Sequence, residues 1–245
     1  MLDSDSLDTR ATLPSKQINC WACWLRNLCL AHEFSGRNVD TSKVITRNRK
    51  FLRGTHLFRQ GDEFHRLYTL KSGAIKSYIS NTDGTEQIVE FHFPGDVIGL
   101  DALTNQKYHS SAIALEKSFA CAFPYSCFKG LCHSNPDLHY KIETQLSNSI
   151  QQKHEFLMIL NTNTAEAKVA HFLCDISMRF SLRGLSPSDL HLHMSRVEIG
   201  NYLGLAPETV SRILTKFERK GLIRAKSKNI LLKDFPALRD YSRIR

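Results

Sequence analysis

Long apolar runs are missing from this 245-residue chain. Nowhere does it offer the roughly 20 consecutive apolar residues that a membrane-spanning helix needs, and residues 1–19 lack the apolar centre of a signal peptide. A cytoplasmic protein is the expectation. Also missing are H-E-x-x-H, G-x-S-x-G and G-x-x-x-x-G-K-[ST], so the eleven histidines stand outside any familiar catalytic pattern. That argues against an enzyme. Acidic residues are in deficit, with 24 Asp or Glu against 33 Lys or Arg and a net charge of +9. The deficit is concentrated at one end: residues 205–245 hold eleven Lys or Arg and only four Asp or Glu, which suits a polyanionic partner there. An even cysteine count is absent too. The seven cysteines include three crowded within ten residues, a pattern that in a reducing compartment points to metal binding before disulfides.

What is present is organised around Ser195 to Gly221, S-R-V-E-I-G-N-Y-L-G-L-A-P-E-T-V-S-R-I-L-T-K-F-E-R-K-G. Ser195 and Glu198 form a capping box that starts a helix, and Leu203-Gly204-Leu205 breaks it. Pro207 suits the first turn of a second helix and Gly221 its end. At 100° per residue Val210, Ile213, Leu214 and Phe217 share one face of that second helix, and Glu208, Ser211, Arg212 and Thr215 share the opposite one. The first set packs. The second, an acceptor, hydroxyls and a guanidinium near the helix N-terminus, suits base edges in the major groove of double-stranded DNA.

Along the chain, residues 1–17 carry no period and no chemistry, and C-x-x-C-x-x-x-x-x-C follows at Cys20, Cys23 and Cys29. Thiolates so spaced can meet at one metal centre, with a fourth ligand drawn from elsewhere. From residue 55 to 125, β-rich runs at Leu67–Leu70, Ile75–Ile79, Ile88–Phe93 and Ser111–Phe123 alternate with glycine turns every eleven or twelve residues, the beat of an antiparallel roll. Pro136 to Leu160 reads as one long helix striped by Leu138, Ile142, Leu146, Ile150, Leu157 and Leu160. A stripe this narrow beside a helix-turn-helix suits a homodimer, with Lys153 as its one charged interruption. Two lysines facing each other in such a seam would weaken it. A second capping box, Asn163 with Glu166, opens a supporting helix, and Leu222–Ala225 with Ile230–Leu232 reads as a two-stranded wing whose lysines can touch phosphate.

This order of parts resembles the CRP/FNR superfamily of bacterial transcription regulators, and the cysteines point to its FNR branch, the fumarate and nitrate reduction regulators. The resemblance is strongest in I-G-N-Y-L-G-L-A-P-E-T-V-S-R, where Glu208, Ser211 and Arg212 carry the branch's E-x-x-S-R motif. It implies an α+β chain: a mobile N-terminus (1–19), a cysteine segment with an antiparallel β-roll of the cyclic-nucleotide-binding, jelly-roll type (20–135), a long dimerisation helix (136–162) and a C-terminal winged helix-turn-helix (163–245). Ile142, Leu146, Ile150, Lys153 and Leu157 would lie in the dimer interface. It further implies a 4Fe-4S cluster on Cys20, Cys23, Cys29 and Cys121, loss of that cluster in oxygen, TTGAT-type half-sites in an inverted repeat with Arg212 on the guanine, and RNA polymerase as a partner in activation. Cys127 and Cys132, past Pro124, fit the fourth ligand position less well than Cys121.

Where cyclic-nucleotide binders of the superfamily resemble G-E-L followed by Arg-Ser, this chain aligns Leu100 and Ser110-Ser111. Without the ribose acceptor and the phosphate cation, a cyclic nucleotide is not expected. The residues themselves leave zinc on the same thiolates open, since both centres take four cysteines. They also leave open a Cys20–Cys23 disulfide switch.

Overall fold

The alternating residues between Thr46 and Pro124 close into two antiparallel four-stranded sheets in a computed structural model that describes residues 23–29, 45–162 and 164–242. Strands β1 (Thr46–Phe51), β3 (Arg66–Ser72), β6 (Val97–Ile98) and β8 (Ser118–Pro124) form one sheet in the order β1-β8-β3-β6. The other runs β2-β7-β4-β5, from β2 (His56–Phe58), β4 (Ile75–Ser80), β5 (Glu86–His92) and β7 (Ser111–Ala114). Phe58, Leu67, Leu70, Ile75, Ile98, Ala112 and Ala120 are buried together in the roll's core, as period-2 alternation directs. The expected single run Ser111–Phe123 is two strands. The chain leaves one sheet at Ala114 and enters the other at Ser118, because β7 pairs with β2 and β4 while β8 pairs with β1 and β3.

Helix α1 (Tyr125–Ser134) follows β8, and the long helix α2 spans Pro136–Thr162, two residues beyond the predicted end at Leu160. The supporting helix α3 (Ala165–Ser181) is capped by Thr164, whose side chain accepts from the Ala167 N–H, one residue later than the Asn163 cap expected. Asn163 itself lies outside the described residues. Helices α4 (Arg196–Leu203) and α5 (Pro207–Arg219) come next, then the wing and a terminal helix α6 (Phe235–Ser242). The wing has three strands rather than two: β10 (Ile223–Lys226) pairs with β11 (Asn229–Leu232), which also pairs with β9 (Asp189–His191). Leu190 opposite Ile230 explains the addition, since both are fully buried. Among the described residues no helix is long and apolar enough to cross a membrane.

The C-terminal unit does not stand apart from the roll. Ile88, Phe91 and Phe93 of the roll share one apolar cluster with Val169, Phe172, Leu173, Ile199, Val210 and Phe217. Polar bonds fix the orientation of that contact. Lys76 Nζ lies 2.9 Å from Glu198 Oε1, and Asn201 continues the edge of β5 by donating to the Glu86 carbonyl at 2.7 Å and accepting from the Ile88 N–H at 2.6 Å.

Candidate functional site

Ser195 caps α4 as a reciprocal box: the Glu198 N–H donates to Ser195 Oγ at 3.2 Å, and the Ser195 N–H donates to Glu198 Oε2 at 2.8 Å. Gly204, at φ 64°, ends α4, and Pro207 occupies the first turn of α5. The angle between the helices is set by a backbone bond from the Leu205 N–H to the Gly200 carbonyl at 2.8 Å. Gly200 is required there, because a Cβ on it would stand 2.4 Å from the Leu205 carbonyl oxygen. Reading the sequence alone did not single out Gly200. Its signal was a glycine within a helical pattern, which marks close approach of another backbone.

On α5, Val210, Ile213, Leu214 and Phe217 are buried, whereas Glu208, Ser211, Arg212 and Thr215 are exposed along one side. The hydroxyls are parked on their own helix, Ser211 Oγ donating to the Pro207 carbonyl at 3.0 Å and Thr215 Oγ1 to the Ser211 carbonyl at 3.1 Å. Arg212 Nη2 rests 3.3 Å from Thr209 Oγ1, a neutral contact, and the residue stays exposed on this face. A cleft of about 460 Å³ runs beside this face, bordered by Ser195, Arg196, Ser211, Thr215 and Lys228. Arg196 donates across it to the Ser227 carbonyl at 3.0 Å, tying the start of α4 to the wing turn. That places a second guanidinium beside the wing lysines, one the sequence reading passed over because it sat beside the cap.

The cysteines approach a different part of the roll. Residues 23–29 form a tight turn in which the Leu28 and Cys29 N–H groups both donate to the Leu25 carbonyl, at 2.9 and 2.8 Å. Leu25 and Cys29 are buried in the roll's apolar cluster, and Cys23, Cys121 and Cys132 pack against that same cluster. Cys121 sits on β8 opposite Thr69 of β3; Cys127 and Cys132 lie on α1, and Cys132 is pushed up in pKa by burial. Cys20 lies outside the described residues. Among the described residues no three His, Cys, Asp or Glu side chains are grouped to hold a metal ion. Cys23, Cys29 and Cys121 are nonetheless soft thiol donors that all border the roll's apolar core, a donor set that fits an iron-sulfur centre in chemical type.

In the roll, Leu100 lies in a 3-10 turn, Ser110 Oγ donates to Asp101 Oδ2 at 2.9 Å, and Ser111 Oγ accepts from the Gln60 N–H at 2.9 Å. Both hydroxyls are thus engaged within the roll, and Ser110 lines a cavity of about 610 Å³ that also touches α2 at Leu146 and Ile150.

The apolar stripe of α2 divides. Leu138 and Ile142 are only 0 % and 6 % exposed and belong to the core of their own roll, so Ile142 leaves little surface for a partner copy. Leu146 packs partly on the same core. Further down, Ile150, Leu157 and Met158 are 55 %, 53 % and 49 % exposed. Between them lies Lys153, half-exposed, with its Nζ 3.3 Å from Glu90 Oε2 of the same chain.

Comparison with known proteins follows the same division. Residues 48–135 match the cyclic nucleotide-binding domain and residues 167–241 the Crp-like helix-turn-helix domain. The chain is 39 % identical over 216 residues to the fumarate and nitrate reduction regulatory protein of Vibrio cholerae, covering 88 % of this chain and 86 % of that one. It is 37 % identical over 219 residues to the transcriptional activator protein anr of Pseudomonas aeruginosa, covering 89 % and 90 %. Among solved structures, FixK2 from Bradyrhizobium japonicum superposes with a TM-score of 0.76 at 25 % identity, over 82 % of this chain and 99 % of that chain.

Proposed function

The chain belongs to the CRP/FNR family of transcription regulators, and from that premise we propose that it activates anaerobic gene expression by reading DNA as a homodimer under the control of oxygen. The observation that carries this reading is the coexistence of an exposed Glu208, Ser211 and Arg212 face on α5 with a cysteine turn seated on the roll. Arg212 reads the guanine of a TTGAT-type half-site by donating to its two major-groove acceptors, while Glu208 accepts from a cytosine amino group on the other strand. Arg196 and the wing lysines bind phosphate and set register without reading sequence. Ile150, Leu157 and Met158 form the seam between copies, so that two α5 helices meet the two halves of an inverted repeat. RNA polymerase is the partner that activation requires, and the cytoplasm is the place of work.

Cys20, Cys23, Cys29 and Cys121 would hold a 4Fe-4S cluster, which supplies a bond-making centre that oxygen degrades. The chain's own residues do the rest. With all four thiolates engaged, the cysteine turn stays pressed on the roll; released, the turn loses a tether and the contacts it supports weaken. Ser110 and Ser111, already bonded within the roll, offer no cation for a cyclic nucleotide's phosphate.

Anaerobic purification, followed by a visible spectrum with iron, sulfide and zinc analysis before and after air, tests the sensor. A brown protein with near-equal iron and acid-labile sulfide that bleaches in air supports it. A colourless protein holding stoichiometric zinc, or a metal-free one whose thiols oxidise to a disulfide, removes the cluster while leaving the DNA reader in place.

A further inference from the structure

The turn Phe93–Asp96 is gripped from both sides. On one side it carries the cysteine turn: a methyl group on Gly95 would lie 3.1 Å from Leu28 Cβ and 3.7 Å from Leu25 Cδ2, so these leucines rest directly on the Gly95 backbone. On the other side it holds the C-terminal unit. Asp96 Oδ2 accepts from the Phe93 N–H at 2.8 Å and from Arg179 Nη2 at 2.6 Å, and Asp96 Oδ1 accepts from Arg183 Nη2. Arg179 also donates to the Phe91 carbonyl at 2.8 Å and stacks 4.7 Å over the Phe93 ring; Arg183 donates to the Pro94 carbonyl at 2.6 Å. The turn is itself stiff, pinned to β3 by the Gly95 N–H on the Leu70 carbonyl at 2.8 Å and the Leu70 N–H on the Asp96 carbonyl at 3.0 Å.

Arg179 lies in the last turn of α3 and Arg183 just beyond it, and α3 buries Phe172 and Leu173 in the same cluster as Ile213 and Phe217 of the reading helix. A displacement of Gly95 is therefore two side-chain contacts from α5 without passing through α2 or a second copy. We propose that Asp96 is a positioning residue: through Arg179 and Arg183 it converts the seating of the cysteine turn into the placement of α4 and α5 within one chain. This rests on the reading of the cysteine turn as the sensor, but the joint itself is a property of the chain.

A packed, doubly charged joint of this kind couples its two ends, whereas the neighbouring Lys76–Glu198 pair holds the units together without touching the cysteine turn. Hydrogen exchange of the α4 amides reports the seating of the reading unit independently of DNA binding. Wild type, Leu28→Ala, Asp96→Asn and the double variant are compared as full chains, purified anaerobically with iron content measured. Leu28→Ala is expected to speed α4 exchange by about fivefold or more in the wild-type background and by less than about twofold beside Asp96→Asn. Asp96→Glu, which keeps the charge, restores the response, and Lys76→Gln raises α4 exchange generally while leaving the Leu28 response intact. Should Asp96→Asn fail to fold, Arg183→Gln cuts the same joint from the other side.

Equal responses to Leu28→Ala in both backgrounds, or none at α4 in the wild type, overturn the joint. A colourless wild type overturns the cluster reading alone, because the exchange comparison is read with or without iron.

Discussion

Replacing Ile150 with Glu tests whether the exposed half of α2 is a seam between copies. Ile150, Leu157 and Met158 each show about half of their surface, at 55 %, 53 % and 49 %. Full burial of such a side chain contributes about 1.5–3 kcal/mol, so covering the remaining half is worth about 1 kcal/mol each, and the six side chains of a symmetric pair about 6 kcal/mol. Association itself costs about 4–15 kcal/mol. The stripe alone therefore leaves a dimer near balance, which is where a sensor worth a few kcal/mol can decide the outcome. Ile150→Glu removes about 2 kcal/mol from the pair and brings carboxylates into an apolar seam, so the dimer dissociation constant should rise at least about 30-fold. Sedimentation equilibrium on anaerobic protein reads it, with binding to an inverted repeat as a second measure. Ile142→Ala is the contrast: being 6 % exposed in its own roll, it should cost about 2–5 kcal/mol of fold stability and leave the dimer constant of the folded protein little changed. A dimer constant within twofold of wild type for Ile150→Glu would refute the seam.

Gly200→Ala forces a Cβ to within 2.4 Å of the Leu205 carbonyl, so the turn between α4 and α5 must open at a cost of about 1–3 kcal/mol or more; loss of DNA binding with a lowered urea midpoint is expected, and full binding would show that the turn yields freely. Arg212→Ala should cost about 1–3 kcal/mol on the intact half-site and relax discrimination at the guanine, measured by titration of single-base variants; a uniform loss across sequences would instead make Arg212 a phosphate contact. Acid provides the third. Burial opposes the charge of Asp96, but Arg179 and Arg183 together hold its carboxyl below the ordinary 3.8. Its contribution is therefore complete above that value and is lost as pH falls through the depressed one. Urea midpoints taken from about pH 5 down to about pH 2 should show Asp96→Asn less stable at the upper end and converging on wild type at the lower; a constant gap would mean the carboxylate is not what stabilises.

The reading unit was legible because its chemistry is local. Ser195 and Glu198 need only three residues to complete their box, and the face of Glu208, Ser211 and Arg212 follows from helical period alone. Partners distant in the chain are what periodicity cannot announce: Lys153 meets Glu90, 63 residues away, and Arg179 meets Asp96, 83 residues away. Ser111–Phe123 looked like one strand because alternation persists when a chain changes sheets; only pairing with β2 and β4 on one side and β1 and β3 on the other reveals the break. The wing gained β9 for the same reason, since Leu190 packs by meeting Ile230, which lies 40 residues further along the chain.

The two kinds of legibility coincide with two kinds of function. Recognition of a base edge has to be carried by one rigid element, so its residues are close in sequence and a single helix suffices to present them. The proposed sensing would join parts that can move relative to one another, and the residues proposed for it are scattered: a cysteine turn near the N-terminus, Cys121 on β8, a glycine turn at Pro94–Asp96 and two arginines at the end of α3. Each of these is unremarkable alone. Leu25 and Leu28 read as ordinary apolar residues between cysteines, and Arg179 and Arg183 as the basic end of a helix. Their meaning comes from Gly95, whose missing side chain lets the leucines rest on the backbone directly beside the carboxylate that both guanidiniums hold. A larger residue at 95, strained at φ 97° and pressed against Leu28, would disturb both grips at once; faster exchange at α4, of the kind expected for Leu28→Ala, is the phenotype that geometry assigns to it.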